Sequence, residues 1–413
     1  MAAPTTGATA RYARLFGRRS FRYFFVSFGL GEAGYAVYAI GVLWLAVTVS
    51  HSALVTGLVL AVEFGVYSLS FLAGPIIDRT RDLRTILVIG YPVQAALALL
   101  LGVLALEGLL TVPLLFLLIV ALSIVWDFTW TALNAALPRI VASDELFLAN
   151  GLTGAVSGGN QIAGYAAGAG LLLLVGSPAV GMLLYGVLNA TAAVASLAVR
   201  APRAPSPPSR LPDEYREGWR YLVGTRSPPV RAVVAFSCAQ GLFSAAGPLL
   251  ITILTFRTFA DPARSFSLLF TAFAVGGVAG NLVLGQISPR AYAGRLLVGA
   301  TVLEGLLLIV AVAAAPSIAW SLPTWAAVGF VDVGFYTTVV VFFQAATPAP
   351  LVGRTLSNAY LFRGSSRAAG ALLIGALAAT LAPFPLGVLI GGAFVAVGLI
   401  APAASPAIAR LRF

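Results

Sequence analysis

The chain has 413 residues, of which 60% are hydrophobic and only 9% are charged, and its mean hydropathy is +0.96. Water-soluble domains have about 45–50% apolar and about 25% charged residues, so this composition excludes an ordinary soluble fold and requires a lipid environment. One cysteine and one histidine exclude a disulfide framework and a Cys/His metal cluster. The chain contains no lysine, so its 25 basic residues are all arginine. Its net charge of +11 raises the question of nucleic-acid binding.

Apolar runs separated by turns and charges predict twelve membrane-spanning helices, since a span needs about 20 apolar residues. The predicted helices cover residues 22–48, 53–77, 85–106, 112–137, 146–173, 177–199, 230–256, 265–288, 295–315, 318–346, 355–381 and 384–403. The polar, proline-rich residues between the sixth and seventh helices cannot span a membrane. The fold class predicted is therefore an all-α integral membrane protein, with a six-helix bundle in 1–199, a linker in 200–229 and a second bundle in 230–413.

The distribution of arginine predicts the orientation of these helices. Short cytoplasmic loops retain positive charge, and most arginines fall in the N-terminal tail, the linker and alternate loops, whereas only Arg257 and Arg264 fall in loops on the other side. We therefore expect a multi-pass protein of the cell membrane, plasma or inner, with both termini in the cytoplasm. The basic charge is explained by topology, and no nucleic-acid partner is expected.

The two predicted bundles share a short sequence pattern. Residues 134–138 read Asn-Ala-Ala-Leu-Pro at the end of the fourth helix, and residues 344–348 read Gln-Ala-Ala-Thr-Pro at the end of the tenth. These are equivalent helices of the two halves, so the pattern indicates two parallel repeats, a plan that many transporters use.

The loop after the second predicted helix carries the most specific motif. It reads Gly-Pro-Ile-Ile-Asp-Arg-Thr-Arg-Asp-Leu-Arg over residues 74–84, and it resembles the signature of the major facilitator superfamily. Residues 136–152 resemble the branch that contains enterobactin exporters and drug:proton antiporters. The resemblance implies a fold of two six-helix bundles, alternating access, no cofactor and a monomer. It also implies a conformational latch, with the matching residues Gly74, Asp78, Arg79 and Arg84. The alternative is that these arginines only fix the topology.

Carboxyl groups inside the predicted helices are the candidates for coupling. Such groups are costly in a bilayer and usually face a cavity or a partner. Glu32 is the sharpest candidate because glycines flank it in residues 29–34, and the resembled branch commonly has an acidic residue in this part of the first helix. A carboxyl there can hold a proton or a cationic substrate but not both. We assign this coupling role to Glu32, Asp127, Glu63 and Asp332. The alternative for each is a structural pair with an arginine.

Other polar and aromatic side chains are candidates for the substrate cavity. Arg363 and Arg367 are four residues apart, so they share one helix face and need counter-charges. Asp332, Glu304 and the acidic residues of the first half are the candidates. The remaining candidates are Tyr35, Tyr38, Trp130, Asn134, Asn160, Gln161, Gln344 and Asn358. For these neutral residues, packing between helices is the alternative. Glycines of the fifth helix, among them Gly164 and Gly168, partly resemble an antiporter motif, and close helix packing is again the alternative.

These observations favour a secondary transporter that exports small drug-like or siderophore-like molecules in exchange for protons. The absence of lysine excludes a P-loop for ATP, and we expect neither catalysis nor a bound metal. The main alternative is an uptake carrier or facilitator for an anionic metabolite or a lipid, which would use Arg363 and Arg367. A receptor or scaffold without transport also remains open.

Overall fold

The computed structural model describes residues 8–69, 72, 76–77, 80, 82–142, 145–202, 219–220, 228–286, 292–347, 352–409 and 411. These residues form helices and connecting segments, without a strand among them. The helices are α1 (Ala8–Gly17), α2 (Arg19–Ser50), α3 (Ala53–Ser68), α4 (Leu83–Leu106), α5 (Val112–Ile140), α6 (Leu146–Val175), α7 (Pro178–Ser196), α8 (Pro228–Ser244), α9 (Ala246–Thr258), α10 (Pro262–Gln286), α11 (Ala293–Ala314), α12 (Ile318–Ala346), α13 (Val352–Thr380), α14 (Pro383–Ala404) and α15 (Pro406–Ala409).

The observed helices confirm the predicted fold class, an all-α membrane protein. Within the described part of the chain, nine helical segments are long and apolar enough to cross a membrane. Each of the twelve predicted spans overlaps a helix in the series α2 to α14, with boundaries that differ by several residues. The number of spans itself stays a prediction. The seventh predicted helix is divided into α8 and α9 at Ala245. The reason is local, because Pro248 has no N–H to donate to the carbonyl of Ser244.

Equivalent helices of the two halves make equivalent contacts. In the first half α4 packs on α7 and α2 packs on α6, and in the second half α11 packs on α14 and α8 packs on α13. This is the pattern that two parallel repeats produce. The halves meet where α3 packs along α13 and α6 packs along α10. The α3–α13 contact is close, since a Cβ atom placed on Gly57 would lie 2.8 Å from the Cα of Gly375.

The hydrophobic cores show which end of the molecule is closed. At the end that carries both chain termini, the first half has its own core, which includes Leu15 and Ile140. The second half has a separate core there, which includes Phe342 and Leu411. At the opposite end a single core joins both halves, and Trp44 of α2 packs on Phe256 of α9 with ring centroids 4.6 Å apart. The molecule is therefore closed opposite the termini and divided on the terminal side.

Candidate functional site

A cavity of about 570 Å³ lies between the two halves. This volume falls in the range of roughly 300–1,000 Å³ that is typical of sites for drug-sized molecules. Helices of both halves line it, and three of its lining residues are the carboxylates Glu32, Glu63 and Asp127 of the first half. The second half contributes Asn281, Tyr336 and the guanidinium of Arg367. The cavity thus has an acidic wall from one half and a basic group from the other.

Asp127 is the most isolated of the three carboxylates. It lies on α5, only 5% of its surface is exposed, and its Oδ1 atom is buried without a hydrogen-bond partner among the described residues. No described arginine lies within ion-pair distance of Asp127, because the ion pair found among the described residues joins Arg18 to Glu145. A buried carboxylate without a partner is costly, so a proton or a cationic solute would stabilise Asp127.

Glu32 lies on α2 and faces the cavity, where the Ser157 hydroxyl of α6 donates a hydrogen bond to its carboxyl group. The glycines beside it admit aromatic rings of the protein. A Cβ on Gly31 would lie 3.0 Å from the Tyr91 ring, and one on Gly34 would lie 2.7 Å from the Tyr185 ring. These glycines therefore allow the two rings to pack closely against α2. The cavity lies on the side of α2 that carries the Glu32 carboxyl group.

Glu63 and Tyr38 form a second polar point of the cavity wall. The Glu63 carboxyl lies beside the Tyr38 hydroxyl, which makes no hydrogen bond of regular geometry with the described residues. The Tyr38 ring packs on Tyr185 with centroids 5.1 Å apart, and the Tyr185 hydroxyl donates to Oε1 of Gln94 at 3.0 Å. Glu63 thus lies at one end of a series of polar side chains within the first half, namely Tyr38, Tyr185 and Gln94.

Aromatic rings form a flat wall next to Asp127. Tyr35 and Trp126 stack with centroids 4.3 Å apart and an interplanar angle of 5°, and Trp126 stacks on Trp130 at 5.8 Å. All three residues line the cavity. Trp126 was not among the predicted site residues, although its place directly before Asp127 was a signal that could have identified it. The wall offers stacking surface for a planar solute beside a carboxylate.

A smaller cavity of about 200 Å³ lies next to the central one, lined mostly by the second half, and its lining includes Asp332, Arg363 and Arg367. Nη1 of Arg363 donates to Oε1 of Gln240 at 2.7 Å, and Nε2 of that glutamine donates to Oε2 of Glu304 at 3.2 Å. Gln240 therefore connects the buried arginine to the buried carboxylate through hydrogen bonds.

Arg367 reaches toward the first half. Its guanidinium carbon lies 3.9 Å from the ring centroid of Phe64 on α3, which is a close cation–π contact. Both residues line the central cavity and the smaller one. Arg367 is thus the arginine that a solute in the central cavity would meet, whereas the buried Arg363 is occupied by partners of its own half.

Three other predicted cavity residues are absent from the described lining of the central cavity. Asn134 is exposed and donates to the carbonyl of Trp130 in its own helix at 2.9 Å. Asn160 donates to the carbonyl of Gly29 at 2.8 Å and so joins α6 to α2. Asn358 is buried in α13 and does not belong to the described lining of the central cavity. Gln161 lies in α6 and Gln344 lies in α12, while their side chains fall outside the description.

The predicted latch is described only in part. Gly74, Asp78 and Arg79 lie outside the described residues, whereas Arg84 lies in the first turn of α4. The N–H of Arg84 donates to Oδ1 of Asp82 at 3.0 Å, which caps the helix. An ion pair that the sequence did not suggest lies at the same end, where Nε of Arg18 is 3.0 Å from Oε2 of Glu145.

Along the part of α6 that packs on α2, glycines allow close contact between the two helices. A Cβ on Gly164 would overlap Ala36, and one on Gly168 would lie 3.5 Å from the carbonyl oxygen of Val37. Gly154 and Gly158 have open space instead and line the central cavity. The small residues of this helix thus divide into a packing group and a cavity group.

Two helical halves around a cavity that is closed at one end, and whose lining includes carboxylates and an arginine, define a multi-pass membrane transporter of the major facilitator type. Residues 10–408 match the family described as transmembrane secretion effector, and the chain belongs to that family. No curated protein matches the sequence significantly.

Three solved structures with the same fold are transporters. An auto-inhibited POT family peptide transporter is 13% identical, with a TM-score of 0.76, and the match covers 96% of this chain and 98% of that one. A POT family transporter in complex with 5-aminolevulinic acid is 13% identical with a TM-score of 0.74, covering 98% of each chain. The nucleoside transporter NupG is 12% identical with a TM-score of 0.69, covering 92% of this chain and 98% of that one. At these identities the likeness establishes the fold alone.

Proposed function

We propose that this protein is a monomeric secondary exporter that moves small drug-like or siderophore-like molecules out of the cell in exchange for protons. The observation that carries the proposal is the buried Asp127 without a described partner, in a cavity of about 570 Å³ with Glu32 and Glu63. Lipophilic cations and neutral aromatic molecules suit this cavity best, because its carboxylates lie beside stacked aromatic rings.

Competition at the carboxylates supplies the coupling in this proposal. Asp127 is stabilised either by a proton or by a cationic solute, and the cavity has room for the solute. Glu32 and Glu63 are further proton acceptors, and Asp332 extends this role into the second half. When a proton binds from one side, the solute loses its counter-charge and is released, which is the exchange that an antiporter needs.

The proposed direction of export rests on the resemblance to exporters, and the arginine distribution and the closed end support a state that takes up solute from the cytoplasm. The excess of arginine favours a cytoplasmic position for both termini, and the cavity is closed at the opposite end. In this state the cavity takes up its solute from the cytoplasm. Rocking of residues 1–199 against 230–413, joined by the linker 200–229, would then expose it outside. Asp78, Arg79 and Arg84 would act as the latch beside Gly74.

The test is transport by the purified full-length protein in vesicles that contain a pH-sensitive dye. Tetraphenylphosphonium, a neutral aromatic drug and a catecholate anion are added in turn while a proton gradient is applied. We expect the cation to dissipate the gradient and Asp127→Asn to abolish this effect. Glu107→Gln is the matched control, because Glu107 is an exposed carboxylate outside the cavity. Dissipation that persists in Asp127→Asn would contradict the role of this carboxylate.

The second candidate function is uptake or facilitated carriage of an anionic metabolite or lipid, and it is favoured by Arg367, the basic residue in the described lining of the central cavity. Its guanidinium lines both cavities and has no ion pair among the described residues. This function predicts uptake of the catecholate anion without proton movement and loss of that uptake in Arg367→Gln. Such a result, with no response to the cation, would replace the exporter by an anion carrier.

A further inference from the structure

A cluster of arginines lies in the first half at the end that carries the termini, away from the central cavity. Two adjoining cavities of about 340 Å³ and 200 Å³ share the lining residues Arg19, Ala198 and Arg200. Together they bring five guanidinium groups from α4, α5, the start of α2 and the segment after α7 to one place. These are Arg18, Arg19, Arg84, Arg139 and Arg200.

The positive charge of this cluster exceeds its described counter-charges. Glu145 forms an ion pair with Arg18, and the Asp82 carboxylate accepts a hydrogen bond from the backbone N–H of Arg84. No other described carboxylate lines either cavity or forms an ion pair with its arginines. The C-terminal ends of α5 and α7 each add about half a negative charge, which still leaves a clear positive excess. Nη1 of Arg139 and Nε of Arg84 are buried without an acceptor among the described residues. The site therefore has donors for an anion.

The cluster also lies beside apolar surface. Leu197 lines the smaller cavity and is 50% exposed, and Val194, just before it on α7, is 68% exposed. The guanidinium of Arg19 lies 5.7 Å from the ring centroid of the partly exposed Tyr23. Exposed apolar side chains next to a tyrosine and arginines are typical of the boundary between acyl chains and headgroups.

We propose that this arginine cluster binds the phosphate headgroup of an anionic phospholipid, whose acyl chains cover Leu197 and Val194. Arginine forms paired hydrogen bonds with phosphate oxygens, and basic pockets at the ends of membrane helices bind phospholipid headgroups. A free phosphate would satisfy the guanidinium groups but not the apolar surface beside them. The site is separate from the transport cavity, so it does not depend on the proposed substrate or on proton coupling.

The test is lipid binding by the full-length protein in detergent, measured by native mass spectrometry. Dioctanoyl phosphatidylglycerol, dioctanoyl phosphatidylcholine and inorganic phosphate are the three probes. We expect one phosphatidylglycerol to bind in preference to phosphatidylcholine. An arginine near the membrane surface contributes about fivefold to such binding, so Arg139→Gln with Arg200→Gln should weaken it about 25-fold. Arg19→Gln with Arg200→Gln tests the same site with two exposed side chains, in case Arg139 is needed for folding.

Arg264→Gln is the matched control, because Arg264 is an exposed arginine at the opposite end of the molecule. It should leave phosphatidylglycerol binding unchanged. Equal binding of the two lipids, or unchanged phosphatidylglycerol binding in both double variants, would overturn the proposal. Displacement of the lipid by millimolar inorganic phosphate would show a free-anion site and overturn the assignment to a lipid.

Discussion

The closed end of the molecule should depend on the close approach of α3 and α13 at Gly57. A Cβ atom added there would lie 2.6 Å from the carbonyl oxygen of Ala371 and 2.8 Å from the Cα of Gly375. Carbon atoms pack best at about 3.5–4.0 Å, so the two backbones would have to separate by roughly 0.7–1.2 Å. Overpacking of this kind costs about 1–3 kcal/mol. Because a state that opens at this end avoids the cost, Gly57→Ala should shift the ratio of the two states about 5- to 150-fold.

The shift can be measured as a distance between spin labels at that end. Leu109→Cys and Ala260→Cys place one label on each half, in a background where the single cysteine is removed by Cys238→Ser. Gly57→Ala should add a population with a longer distance. Gly65→Ala is the matched control on the same helix, since its Cβ would lie 4.0 Å from the Cβ of Ala368 and fits without strain. Identical distance distributions in the two variants would refute the reasoning.

Three further predictions concern the polar and aromatic contacts. Gln240→Leu removes the acceptor of Arg363 at 2.7 Å and should lower the free energy of unfolding by roughly 2–3 kcal/mol, measured by thermal unfolding in detergent; an unchanged melting temperature would contradict it. Glu145→Gln removes the ion pair with the half-exposed Arg18 and should cost less than about 1 kcal/mol, a difference that high salt abolishes. Trp126→Ala should weaken the binding of planar aromatic cations about three- to tenfold in equilibrium dialysis, with little effect on a non-planar cation.

Much of the fold could be predicted because lipid imposes simple rules on the sequence. The backbone N–H and C=O groups of a membrane-spanning segment must form hydrogen bonds within that segment, so a long apolar run indicates a helix. The division of α8 from α9 was missed because it depends on Pro248 within an apolar run, where hydropathy does not change. Which end is closed could not be predicted either. That depends on contacts between distant segments, such as Trp44 with Phe256.

The carboxylates of the candidate site could be predicted from residue type alone, because a charged group in an apolar helix is energetically costly. A carboxylate in an apolar helix stands out, and the structure brings Glu32, Glu63 and Asp127 to one cavity. Partners were not predictable, because helix rotation and register decide them. Arg363 is bonded to Gln240 rather than paired directly with a carboxylate, and residue type gave no sign of this.

The asymmetry of the cavity bears on how a proton could influence the conformation. A ligand shifts an equilibrium only through a difference in its interaction with the two states. Here the described carboxylates of the central cavity belong to the first half, while Arg367 of the second half lies over Phe64 of the first. In the proposed rocking movement the separation of these opposite charges changes, so the attraction between them would differ between the two states. We therefore predict that removal of one negative charge at Asp127, by a proton or by exchange to asparagine, alters the conformational equilibrium as well as the affinity for a cation.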